Sequence, residues 1–159
     1  IPVADFTIRP MDRQDHPAAA RIMAGSDPWL TLGIDEARAL ATMEAQGIPG
    51  VVATLDNGTM LGFIRYEPKG FIGYAAYIRT VAVAPQARGK RVGETLMNHV
   101  ESLVFEQAPL LFLFCSTFNV RGQAFYERLG YERVGTVDAM LVPQHGEVLL
   151  VKRRKVAAP

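Results

Sequence analysis

Arginine, lysine and glycine crowd one short stretch, Pro85-Gln86-Ala87-Arg88-Gly89-Lys90-Arg91-Val92-Gly93, and an anion could be bound there. A β-prone run ends at Val83 just before it, and a helical pattern starts near Lys90. A helix start carries unsatisfied backbone N–H groups and about half a positive charge, so it can receive phosphate oxygens without special side chains. Arg88, Lys90 and Arg91 put cations at an end where the helix dipole by itself favours carboxylates, an unfavourable placement unless something anionic binds. Gly89 and Gly93 permit close approach of a ligand to the backbone. The plainer account of a lone basic triplet is a solvated helix start. The strand-turn-helix setting favours a phosphate site. Neither the G-x-x-x-x-G-K-[ST] order of a nucleotide-triphosphate loop nor the G-x-G-x-x-G of a dinucleotide fold is present.

A second pair lies downstream. Asn119 and Tyr126 are seven positions apart in a short helical segment, about two turns, so their side chains project from nearly the same face. Alone, Asn119 reads as a helix N-cap and Tyr126 as a core aromatic. Cys115 ends an apolar run without a recognisable histidine partner, so packing is a better reading than a nucleophile. His16 and His99 sit in helical segments and read as structural or solvent-facing. No cysteine and histidine cluster has zinc-ligand spacing, and no metal is expected.

These residues need elements to position them. Phe6 to Arg9 is β-prone, and an alanine-rich helix follows, ending near Gly25. Asp35 to Gln46 predicts a second helix, with acidic residues in its first turn and Gly47 after it. Val51 to Leu55 and Met60 to Tyr66 flank Asn57-Gly58, a strong hairpin signal. A turn around Pro68, Lys69 and Gly70 should lead into a longer strand over Tyr74 to Val83. Val92, Leu96, Val100 and Leu103 mark the apolar stripe of a helix reaching about Glu106. Leu110 to Cys115 predicts a strand buried on both faces, and the strand-helix-strand order implies a parallel crossover. Val120 to Leu129 predicts a short helix closed by Gly130, followed by strands over Tyr131 to Val137 and Glu147 to Lys152.

At 159 residues the chain suits one domain, 1–159, and 49% hydrophobic against 21% charged residues is globular rather than disordered composition. A formal net charge of +1 gives no basic excess of the kind a nucleic-acid binder shows. No apolar stretch approaches the ~20 residues of a membrane-spanning helix. With a single cysteine and no secretory leader, a cytoplasmic setting is expected; the missing initiator methionine reads as a trimmed start.

Val81-Ala82-Val83-Ala84-Pro85 followed by Arg88-Gly89-Lys90-Arg91-Val92-Gly93 resembles motif A of the GNAT N-acetyltransferases, whose Q/R-x-x-G-x-G/A pattern holds coenzyme A. Arg88 and Gly93 match its ends; Arg91 stands where the middle glycine falls. Asn119 to Tyr131 resembles the family's N-x-x-A-x-x-x-Y-x-x-x-G-F segment, with Gly122 for the alanine and Tyr131 for the phenylalanine. The likeness runs from about Phe6 to Lys152, and its specific part from Val81 to Tyr131.

The resemblance implies an α/β (α+β) fold, a largely antiparallel central sheet flanked by helices, with the parallel crossover at the coenzyme A site. It implies an N-acetyltransferase using acetyl-CoA as cosubstrate. Arg88, Gly89, Lys90, Arg91, Val92 and Gly93 would hold its phosphates, Val81 and Val83 would offer backbone groups to the pantetheine arm and acetyl carbonyl, Asn119 would hydrogen-bond that arm, and Tyr126 would protonate the departing thiolate. The acceptor would be a small-molecule amine or a protein amino group, attacking directly in a ternary complex. Many relatives place a glutamate on the strand before the turn as base, yet Tyr77 to Val83 holds no carboxylate. Glu67, His145 and Glu147 are neighbouring candidates, each read first as a surface or loop residue and left out of the catalytic set. Trp29, in a loop between helices, is a candidate lining of the acceptor pocket, and a homodimer is compatible with the likeness. The reading from a different class is a non-catalytic acyl-coenzyme A sensor, which would keep the turn and lack turnover.

Overall fold

The computed structural model describes residues 5–156; the chain's first residue, read above as a trimmed start, lies outside them. In chain order the elements are β1 (Thr7–Pro10), α1 (His16–Ala24), α2 (Glu36–Gln46), β2 (Gly50–Thr54), β3 (Met60–Phe71), β4 (Ala75–Val83), α3 (Val92–Val104), β5 (Leu110–Ser116), α4 (Val120–Arg128), β6 (Glu132–Val142) and β7 (His145–Arg153). The strands hydrogen-bond in the order β1-β2-β3-β4-β5-β7-β6, and the registers of β4 with β5 and of β5 with β7 are parallel and antiparallel respectively. This is the mixed, mostly antiparallel α/β architecture expected. The described residues form two compact units, one of 5–66 and 80–100 and one of 67–79 and 101–156, and the chain passes between them within β3, β4 and α3.

In the first unit, short polar side chains set the helix starts. Asp12 Oδ1 accepts from the Gln14 N–H at 2.7 Å while Asp15 Oδ2 accepts from the Asp12 N–H at 2.8 Å, a reciprocal cap ahead of α1. Asp35 Oδ1 accepts from the Arg38 N–H at 2.8 Å to start α2, which Gly47 ends in the left-handed region. Asn57 and Gly58 turn β2 into β3, with Asn57 Oδ1 accepting from the Thr59 N–H at 3.0 Å. Ala19, Ala20, Met23, Ala39, Met43, Val52, Phe63 and Ala82 form the core between these elements. Trp29 packs against that core, so its ring serves packing at least in part. At Gly62 an added Cβ would lie 2.8 Å from the Ala82 carbonyl oxygen; glycine lets β3 and β4 approach there.

In the second unit, β4 pairs with β5 in parallel over Ala76–Ile78 and Leu111–Leu113, and β5 pairs antiparallel with β7 from Leu110↔Arg153 to Ser116↔Glu147. Leu111, Leu113, Cys115, Val148, Leu150 and Tyr131 are buried. Glu101, at the end of α3, is also buried and accepts from Lys152 Nζ at 2.5 Å and from the Tyr131 hydroxyl at 3.2 Å.

Three expectations are corrected. Pro68 to Gly70 does not turn: β3 runs through it to Phe71, and the reversal falls at Ile72 and Gly73, both at positive φ. A proline is tolerated in a strand where its missing N–H is not needed by a neighbour, and Pro68 and Lys69 lie in the partly exposed to exposed tail of β3. Leu103 is 40% exposed and Val104 is buried in its place, so the apolar stripe of α3 ends one residue later than the spacing suggested. β5 is not buried on both faces: Leu111, Leu113 and Cys115 are covered, while Leu110, Phe112 and Phe114 are only partly so. Among the described residues no helix is long and apolar enough to cross a membrane, and no group of ligating side chains could hold a metal ion.

Candidate active site

The basic turn lies in the first unit. Beyond Val83, Pro85–Ala87 makes one 3-10 turn, and residues 88–91 loop into α3. Gly89 has φ +74° and Arg91 φ +63°. The left-handed region is natural for glycine and strained for arginine, so the position where the motif expects glycine does demand a glycine-like backbone here. A turn with two such residues just ahead of a helix start suits an anion, which the first amides of α3 would meet. The Arg91 carbonyl accepts from both the N–H and the hydroxyl of Thr95, at 3.0 and 2.7 Å, which pins the start of the helix.

Side chains around the turn divide their work. Arg88, Lys90 and Arg91 are exposed and make no ion pair among the described residues. Arg88 Nη2 donates to Ser26 Oγ at 3.0 Å, and Ser26, just after α1, is buried. That bond holds one edge of the guanidinium and leaves the other edge for an anion. Val92 is 1% exposed, so its side chain belongs to the core and only its amide can meet a ligand. Val81 and Val83 are partly exposed strand residues, alternating with buried Thr80, Ala82 and Ala84. These features fit a phosphate-bearing ligand: exposed cations without an ion pair among the described residues, helix-start amides and a glycine-like backbone at 89 and 91.

The second unit holds Asn119 and Tyr126. Asn119 is the N-cap of α4: its Oδ1 accepts from the Gly122 N–H at 3.0 Å, and its own N–H donates to the Ser116 carbonyl at 2.9 Å. Its Nδ2 is therefore the side-chain atom suited to a ligand carbonyl. A Cβ at Gly122 would come within 2.5 Å of that Nδ2, so glycine at this position is what lets the Asn119 side chain fold back over the helix start. Gln123, one turn on, is buried, and its Nε2 donates to the Ser116 and Thr117 carbonyls at 3.1 and 2.9 Å while its Oε1 accepts from Arg133. This clamp of α4 to the end of β5 was missed from sequence. Its only trace there is the four-residue spacing from Asn119.

Tyr126 is partly buried between the rings of Phe125 and Tyr131, with centroids at 5.2 and 5.9 Å. Burial, and then the neighbouring Cys115, push its phenol above the usual tyrosine range. It holds its proton securely at neutral pH. Cys115 is itself buried, and burial first, with the Glu147 charge second, pushes its thiol up to about 12, so no thiolate nucleophile is available there.

The acetyltransferase (GNAT) family profile matches residues 13–131, which span the turn, α3, β5 and α4. The chain belongs to the GNAT acetyltransferase family. A curated relative, the N-alpha-acetyltransferase RimI of Mycobacterium tuberculosis, is 27% identical over 117 residues, covering 73% of this chain and 69% of that protein. Among solved structures, Ard1 from Thermoplasma volcanium superposes with a TM-score of 0.77 at 22% identity, covering 93% of this chain and 97% of its own. An aminoglycoside 6'-N-acetyltransferase complexed with coenzyme A gives 0.73 at 17% identity, covering 96% and 99%. These structural likenesses establish a GNAT fold. Acyl transfer is the activity class of the GNAT family, and amines are its acceptors.

Proposed function

We propose that the protein transfers the acetyl group of acetyl-CoA to a primary amine by direct attack. The observation that carries this reading is the turn at 88–91, where two left-handed residues, a helix start and cations without an ion pair among the described residues converge on a short stretch of backbone. Acetyl-CoA supplies the thioester. Arg88, Lys90 and Arg91, with the amides of Gly89, Val92 and Gly93, bind its phosphates. The backbone of Val81 and Val83 orients the acyl arm, an amide at Val83 polarises the acyl oxygen, and Asn119 Nδ2 donates to the arm. Tyr126 gives a proton to the sulfur as it leaves. A phenol held above its ordinary range is a reluctant donor to a thiolate, whose conjugate acid is near 8.5 in model thiols, so the bound state must stabilise the phenolate.

The relatives acylate different amines: one is named for an α-amino group, another for an aminoglycoside. A net charge of +1 favours neither. Calorimetric titration with acetyl-CoA, with ATP and NAD for comparison, tests the reading. Selective binding is expected, weakened about tenfold in Arg88→Ala, since one charge-assisted hydrogen bond is worth ~1.5 kcal/mol. Tyr126→Phe should bind acetyl-CoA as the wild type does and lose turnover. Equal, weak binding of all three ligands would sink the assignment.

A further inference from the structure

The proposed reaction lacks a base, and one residue of the second unit answers to that need. Glu147, in β7, is 4% exposed and stands directly opposite Ser116, the last residue of β5. Among the described residues its Oε2 is buried without a hydrogen-bond partner, as is the Oγ of the facing Ser116, and Glu147 forms no ion pair. A buried carboxylate oxygen without a donor is a standing cost.

Its surroundings suit a cation. Paired residues of neighbouring strands share a sheet face, so the registers Tyr77↔Phe112, Phe114↔Leu149 and Ser116↔Glu147 put Tyr77, Phe112, Phe114 and Glu147 on one face. Tyr77 and Phe114 meet edge to face at 6.3 Å. The groups facing Glu147 are Tyr77 from β4, Ser116 from β5, Val137 from β6 by register, and His145 on its own strand, and its charge also acts through the sheet on Cys115. Burial pushes its carboxyl above the usual range, while the Ser116 hydroxyl and then His145 pull the other way. A carboxylate beside aromatic rings is a receptor for an ammonium group.

Cys115 points to the opposite face from Ser116, and it is the Cys115 side that Tyr126 adjoins. The end of β5 thus carries a carboxylate on one face and a phenol by the other. A thioester held at that end would have a proton acceptor on one side and a proton donor on the other.

We propose that Glu147 is the general base of the acetyl transfer inferred above, on which this assignment rests, and that the acceptor arrives as a cationic primary amine against Tyr77 and Phe114. Glu147 takes one proton from the ammonium group. The freed lone pair forms the C–N bond, the C–S bond breaks, and Tyr126 gives its phenol proton to sulfur. The second proton shed by nitrogen returns to Tyr126 through solvent, and Glu147 releases its own to water, so the products are the amide, the free thiol and one proton.

The test uses the full chain, wild type and Glu147→Gln, in calorimetry with acetyl-CoA and in thiol-release assays with alanine amide, an alanyl peptide and lysine methyl ester as amine probes. The variant is expected to bind acetyl-CoA within twofold of wild type, which also verifies its fold. Its turnover should fall about 100- to 10,000-fold and the acid limb of its kcat/KM profile should vanish. Turnover near the wild-type rate with that limb intact overturns the assignment. Failure of the wild type to bind acetyl-CoA overturns the acetyl-transfer reading instead. If acetyl-CoA binds and no probe is acylated, carboxyl-labelled glutamate NMR decides. The resonance missing in Glu147→Gln should titrate above the ordinary carboxylate range and move when acetyl-CoA is added; an ordinary titration, or no movement, overturns the assignment.

Discussion

Gly122 and Asn119 depend on each other. Glycine inside a helix costs about 1 kcal/mol relative to alanine, and an asparagine N-cap contributes a similar amount. Since a Cβ at 122 would collide with the Asn119 amide that caps α4, Gly122→Ala must displace the cap as it improves the helix. The single substitution should therefore change stability by less than about 0.5 kcal/mol, whereas the same change in an Asn119→Ala background should stabilise by about 1 kcal/mol. Denaturant midpoints of the four proteins in this cycle measure the difference; additive effects would show that the cap and the glycine are independent. Arg91 teaches a related lesson. The motif made its position legible as a departure from glycine, but its φ of +63° could be known only from the fold, because the chemistry of an arginine side chain does not announce the backbone beneath it.

At the scale of elements, a buried ion pair fastens α3 to β7. Glu101 has 8% and Lys152 20% of its side chain exposed, and Tyr131, which leads into β6, adds its hydroxyl to the same carboxylate. Removing one partner of such a pair strands the other charge, so Lys152→Met should cost about 3 kcal/mol at neutral pH, near the low end for buried pairs because the lysine is partly solvated. Adding Glu101→Gln should recover most of that loss in thermal or denaturant melts. Equal stability of the single and double variants would show that the buried charge is not the source. No periodicity in the sequence joins residues so far apart in the chain. Local signals served well where a local cause sufficed, as with Asp35 and Gly47 at the ends of α2 or Asn57-Gly58 in the hairpin. They failed at Pro68, where the partly exposed strand tail tolerates a proline, and at β5, where Phe112 and Phe114 are apolar enough to read as core yet are left partly open.

For the molecule as a whole, the phosphate-binding turn and the Asn119 to Tyr131 segment were legible because each packs its signal into a few consecutive residues. Glu147 was named only as a neighbouring candidate, since its meaning depends on the register of β5 with β7 and on burial that no local pattern encodes. Its burial also ties stability to pH. A carboxyl whose folded-state pKa is raised above the unfolded value binds protons more tightly in the native chain, so its contribution to stability is fully present below the unfolded value, near 4.3, and is lost as pH rises through the folded one. Glu147→Gln cannot ionise and avoids that loss. The variant should match the wild type at pH 4, become increasingly more stable than it as pH rises, and hold a constant advantage once Glu147 is fully charged. Chemical denaturation at a series of pH values reads this directly. A wild type as stable as the variant at pH 8 would mean that the Glu147 carboxylate is solvated or paired in solution, and its unpartnered oxygen would then no longer mark it as the group held ready for a proton.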